Sequence, residues 1–191
     1  PLIASPLHRL DCCLVNEGGC ALVITTVERA RDLRHAPVMI LGGGMEFMGG
    51  NYCNPPLYRD MRTLGKRAAE RSFAQAQVAA TDIDVFQIYD PCSFEVLRQF
   101  EILGLCNEGE GGAFVQGGRL DLGGQCPTNL DGGMLAGSWT ATSQLTTKVI
   151  ESVQQLRGAC GARQVPDAEL ALSTNAGSGT SHIEMLVMGR G

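Results

Sequence analysis

Several features that would assign a chain of 191 residues to a class at sight are missing from this one. None of its 8 cysteines forms a Cys-x-x-Cys pair, so neither a zinc site nor a disulfide framework is written into their spacing. Packing as small buried hydrophobes is the expected role of Cys12, Cys13, Cys20, Cys53, Cys92, Cys106, Cys126 and Cys160. There is no long Lys/Arg block and the formal net charge is −5, which argues against a nucleic-acid surface or attachment to an anionic membrane. No apolar run approaches the about 20 residues needed to span a bilayer, and nothing near Pro1 resembles a signal peptide. The expected location is cytoplasmic. A start methionine is also lacking, as in an excised piece.

Aromatic residues are scarce at 5%, with a single tryptophan, whereas glycine is abundant at 25 residues. That balance predicts an α/β chain with many tight turns and one sizeable core. The stretch 129–145, Asn-Leu-Asp-Gly-Gly-Met-Leu-Ala-Gly-Ser-Trp-Thr-Ala-Thr-Ser-Gln-Leu, is the expected seat of the chemistry. A glycine-rich turn running into a helix presents backbone N–H groups, a natural site for negative charge.

Elsewhere the patterning predicts an apolar strand over residues 20–25, covered on both faces, and a short helix over 27–33 capped by Thr26. A second strand over 38–41 is expected to stop at Gly42, Gly43 and Gly44, with residues 45–56 as a loop. A helix follows over 64–78, then a strand over 82–90 ending at Tyr89 and Asp90, then a helix from about Ser93 to Leu103 that Asp90 is expected to cap. The glycine-rich segment 104–133 is long for a structureless loop, and 109–124 within it is either a substrate lid or a plain crossover connection. A helix over 140–157 and two strands over 169–174 and 182–188 complete the chain. The glycine turn joining those strands suits a hairpin, and its N–H groups can also face a ligand. His8, His35 and His182 are expected on the surface or within a strand.

The motifs Asn16-Glu17-Gly18-Gly19, residues 27–33, Asp82-Ile83-Asp84-Val85, residues 101–111, Asn129-Leu130-Asp131-Gly132-Gly133, Gln155-Leu156-Arg157-Gly158 and Arg163-Gln164-Val165 occur in an order that resembles the C-terminal half of thiolase-superfamily proteins. The resemblance covers almost the whole chain and is strongest to the lipid-transfer, or sterol-carrier-protein-x, branch. It implies a thiolase-like fold, a mixed β-sheet flanked by helices, drawn from a family with five strands in each half. By the same resemblance residues 1–35 end the N-terminal half and 36–191 form the C-terminal domain.

The family makes or breaks a carbon–carbon bond beside a CoA thioester. Its His-Asp strand end corresponds here to Tyr89 and Asp90, and the histidine of its Gly-His-Pro turn corresponds to Trp139. Its C-terminal Cys-x-Gly or His-Asn loop corresponds to Thr174 and Asn175, with Gly177 and Gly179 retained. An indole accepts no proton, and the family's nucleophilic cysteine belongs to the other half, so the residues disfavour thiolytic chemistry by this chain alone. Steroid side-chain retro-aldolases, a related branch, also have Tyr-Asp at the strand end and place a second tyrosine where Trp139 stands. The resemblance therefore implies retro-aldol cleavage of a β-hydroxyacyl-CoA such as a steroid side-chain CoA. Tyr89 is then the candidate acid/base, able to take the β-hydroxyl proton if its pKa falls, and Asp90 its orienting partner. Gly132, Gly133, Ser138, Trp139, Asn175, Gly177 and Gly179 form the expected substrate side.

Two alternatives stand beside this reading: an acetyltransferase whose nucleophile lies in the other half, and a non-catalytic acyl-CoA- or lipid-binding or scaffold subunit. No cofactor or metal is expected, the CoA thioester being substrate. The implied partners are a second copy, the N-terminal half, or an OB-fold zinc-ribbon subunit.

Overall fold

The computed structural model describes residues 1–48, 61–140, 143–177 and 181–191. A small hairpin, β1 (Leu2–Ala4) and β2 (Leu7–His8), precedes the main sheet. That sheet has four strands among the described residues, in the order β3 (Val38–Phe47), β6 (His182–Arg190), β5 (Leu170–Gly177), β4 (Val85–Gln87). The β3–β6 and β6–β5 pairs are antiparallel and β5–β4 is parallel, which makes the sheet mixed.

Alternation along the strands divides the interior into two layers. Phe86, Leu172 and Val187 point into one core, with Ile88, Tyr89 and Phe100, while their neighbours Val85, Ala171 and Met188 meet Val149 and Leu156 in the other. The first layer receives α2 (Lys66–Ala76) and α3 (Ser93–Ile102), and the second receives α6 (Gln144–Leu156). Shorter helices are α1 (Val27–Arg31), α4 (Gly111–Phe114) and α5 (Gly133–Gly137).

Three expectations are corrected. Strand β3 does not stop at the glycine triplet but runs through it to Phe47. A Cβ at Gly42 would lie 2.2 Å from the Ser72 carbonyl oxygen and one at Gly44 2.5 Å from that of Ala68, so these glycines let α2 settle directly on the strand. Residues 20–25 form no strand, and Val23 and Ile24 are 93% and 74% exposed. A strand is held by hydrogen bonds to a neighbouring strand, and residues 20–25 pair with none of the described strands; residues 21–25 instead line a cavity together with Val149, Val153 and Met188. Finally, the strand expected over 82–90 is confined to β4, because the Ile88 and Tyr89 N–H groups donate to the Asn129 and Thr174 side chains instead of to the backbone of a neighbouring strand. Within the long glycine segment, α4 places Phe114 against Phe100, with the Arg119 guanidinium over the Phe114 ring. Cys126 and Cys160 are buried as expected, whereas Cys12, Cys13, Cys20, Cys92 and Cys106 are only half-buried, and Cys53 lies outside the described residues. Among the described residues no helix is long and apolar enough to cross a membrane.

Candidate active site

The edge strand β4 positions the site because two segments continue from it. Pro127 to Asn129 pair along its free side, with the Phe86 N–H donating to the Pro127 carbonyl and the Asn129 N–H to the Phe86 carbonyl. Asn129 then turns its amide onto the next residue, accepting from the Ile88 N–H at 2.8 Å and donating to the Ile88 carbonyl at 2.8 Å. A residue with φ of +46° is thus held in the left-handed region, and the turn 129–133 is docked beside Tyr89 and Asp90.

The Tyr89 backbone is fastened on both sides. Its N–H donates to the Thr174 hydroxyl at 2.9 Å, and its carbonyl accepts from the Gln99 amide at 2.7 Å. The Thr174 hydroxyl donates to Gln99 Oε1, which closes a ring among β4, β5 and α3. Gln99 also donates to Glu95 Oε1, and Glu95 is paired with Arg98 inside the same helix. Thr174 therefore serves to hold Tyr89.

The Tyr89 ring sits in the core at 8% exposure, and its hydroxyl bonds to no described residue. Burial pushes the phenol well above the ordinary tyrosine range, and the neighbouring acidic groups of Cys13, Glu95, Cys92 and Asp90 push the same way wherever they are ionised. A fall in this pKa was the condition for Tyr89 to act as base; the environment produces a rise, which suits a neutral hydrogen-bond donor.

Asp90 does not cap α3, whose N-terminus has no side-chain cap. Its carboxylate accepts from the Met134 and Leu135 N–H groups of α5 at 3.0 and 3.2 Å, and from Lys148 Nζ at 2.9 Å. The anion site expected at the glycine turn is accordingly filled from within the chain. Asp90 and Lys148 are each 3% exposed in their side chains, so this is a desolvated ion pair.

Trp139 enters the neighbourhood through its backbone. Its N–H donates to the Leu14 carbonyl at 2.6 Å, and the Asn16 N–H donates to its carbonyl at 2.9 Å. The Cys13 N–H donates to the Pro91 carbonyl at 2.9 Å, so residues 13–16 form a strip from the Tyr89 strand end to Trp139. The half-buried Trp139 and Cys13 both pack against the core cluster that contains Tyr89. Gly132 and Gly133 lie at the start of α5 and Ser138 at its end.

Asn175 is not brought to Tyr89. It is paired across the sheet with Glu184, donating to it at 2.8 Å, while Thr174 is paired with Met185 on the Tyr89 side. Gly177 pairs with His182, whose imidazole lies 3.3 Å from Glu184, and Gly179 is outside the described residues. Gln99, Lys148 and Cys13 are the participants that sequence reading missed. Lys148 shares its helix face with Gln144, Glu151, Ser152 and Gln155, all buried, so nothing in the local pattern set it apart from a solvated polar face. Among the described residues no group of three or more His, Cys, Asp or Glu side chains is placed to hold a metal ion.

A family model described as thiolase C-terminal domain-like matches residues 59–190. The chain is similar to a steroid side-chain-cleaving aldolase of Thermomonospora curvata, with 35% identity over 160 residues that cover 82% of this chain and 40% of that protein. It is similar to sterol carrier protein 2 of Oryctolagus cuniculus, with 32% identity over 181 residues that cover 93% of this chain and 33% of that protein. Among solved structures, the Ltp2-ChsH2(DUF35) aldolase matches with a TM-score of 0.84 and 32% identity, covering 100% of this chain and 49% of that chain. The chain spans less than half the length of each of these relatives.

Proposed function

The chain belongs to the thiolase C-terminal domain-like family, and from that premise we propose that the protein containing it acts on CoA thioesters. The reaction is retro-aldol cleavage of a β-hydroxyacyl-CoA, with a steroid side-chain CoA as the candidate substrate class. The β-hydroxyl gives up its proton, the Cα–Cβ bond breaks, and its electron pair passes into a thioester enolate. That enolate then takes a proton at the α-carbon, leaving a carbonyl product and a shortened acyl-CoA. Similarity to a steroid side-chain-cleaving aldolase supports the reaction class.

The observation that carries the reading is the presentation of Tyr89. A phenol fastened through both backbone groups, and kept protonated by burial, donates a hydrogen bond to an oxygen where negative charge develops. Asp90 supports the site by holding α5 and Lys148. Trp139 supplies a wall for the acyl group, with Gly132, Gly133 and Ser138 framing it. The base for the β-hydroxyl comes from the companion polypeptide: residues 1–35 end one thiolase-like half, 36–191 form the other, and the N-terminal half, a second copy or an OB-fold zinc-ribbon subunit completes the site. Exposure of Val23 and Ile24 supports such a companion.

Offering the complete protein a branched β-hydroxyacyl-CoA beside a short 3-ketoacyl-CoA tests this. Cleavage of the first alone is expected, and thiolysis of the second alone would replace the proposal with an acetyltransferase.

Trp139 favours one further reading, because an indole N–H donates but moves no proton. A non-catalytic subunit would bind acyl-CoA in calorimetry without turning it over.

A further inference from the structure

We propose that Cys12 and Cys92 form a reversible disulfide that fastens the strip 12–16 to the start of α3. The two cysteines are directly opposed in an isolated antiparallel bridge. The N–H of Cys13 bonds to the carbonyl of Pro91, so the residue after Cys12 is tied to the residue before Cys92. That pattern places Cys12 and Cys92 at a non-hydrogen-bonded pair, where Cα atoms approach to about 4.5 Å and side chains are nearest. The spacing falls within the roughly 4.4–6.8 Å that a disulfide spans. Both thiols are free and half-buried, open to a small reagent.

The same geometry selects Cys12 over its neighbour. Directly opposed residues project to the same side of a ladder and the next residue projects to the other. Cys13 accordingly packs against the core beside Tyr89, leaving Cys12 to face Cys92.

The oxidant is a low-molecular-weight disulfide. One cysteine thiolate attacks it and releases a thiolate, forming a mixed disulfide; the second cysteine thiolate attacks that bond and releases the other. Two protein thiols are oxidised to one S–S bond, the reagent is reduced to two thiols, and these take up the two protons the cysteines lost. Since the strip also bonds to Trp139 through Leu14 and Asn16, the new bond fixes Trp139 against the strand end that carries Tyr89. This does not rest on the proposed reaction.

The test is peptide mapping of the complete protein after equilibration with oxidised glutathione, alkylation of remaining thiols and trypsin digestion without reductant. Cleavage at Arg9, Arg29, Arg71 and Arg98 releases residues 10–29 and 72–98, the latter with Cys92 as its one cysteine. The expected product is these two peptides joined, two hydrogens lighter than their sum, with fragment ions placing the bond at Cys12. It disappears with dithiothreitol and in Cys12→Ser or Cys92→Ser, and persists in Cys13→Ser. A 72–98 peptide that is only alkylated or glutathionylated, or fragment ions that place the bond at Cys13 or Cys20, would overturn the proposal.

Discussion

The Asp90 carboxylate occupies the space that a side chain at Gly133 would need: a Cβ there would lie 2.2 Å from Asp90 Oδ2. Gly133 also has φ of +59°, and the next two amides donate to that carboxylate. Gly133→Ala is expected to destabilise the protein by about 2–4 kcal/mol, combining overpacking with left-handed strain. Denaturant midpoints measure it, and an unchanged midpoint would mean that the two elements are not in this contact.

The ion pair between Asp90 and Lys148 makes a second expectation. Asp90→Asn leaves a buried ammonium without its counter-charge and is expected to cost about 3–5 kcal/mol. Adding Lys148→Met removes the orphaned charge and restores part of the loss. A double-mutant cycle with strictly additive losses would contradict the pairing.

How much of this was legible beforehand follows from the range of the contacts. The helix expected over 64–78 and found at 66–76, a strand just ahead of Tyr89, the helix from Ser93 and the closing hairpin were readable because each has a local period and local breakers. The partners of Asp90 lie 44, 45 and 58 residues away, so no spacing near Asp90 announced them, and capping the adjacent helix was the nearest local alternative. The glycine triplet misled for a related reason. Three glycines read as a strand end in isolation, and only the approach of α2 shows why Gly42 and Gly44 carry no side chain. Residues 20–25 have the composition of a strand, but pairing depends on an edge that composition cannot supply.

Thr174 holds Tyr89 through one hydroxyl that both accepts and donates. Thr174→Val removes the acceptor for the Tyr89 N–H and the donor to Gln99, each at about 1–3 kcal/mol for a buried group left unpaired. Thr174→Ser keeps both bonds, so its denaturation midpoint is expected much closer to the parent. Equal losses in the two variants would place the role in packing.

Tyr89 also makes a pH dependence. Because its pKa in the folded protein lies above the ordinary value of about 10, folding favours the protonated form. That stabilisation is full below the ordinary value and is lost as pH rises through the folded one. Parent and Tyr89→Phe are therefore expected to differ in the alkaline slope of stability, the parent falling more steeply. In ultraviolet titration, the difference between the two stays flat through pH of about 10. A phenolate signal from Tyr89 near neutrality would reverse the donor assignment.

A protonated Tyr89 phenol that stabilises the oxygen of the departing thioester enolate is the centre of the proposed site, and the most direct test is kcat for cleavage of a β-hydroxyacyl-CoA by the complete protein carrying Tyr89→Phe. Loss of one such donor predicts a fall in kcat of about 10²–10³-fold, with the denaturation midpoint at neutral pH retained. A kcat equal to that of the parent would contradict it.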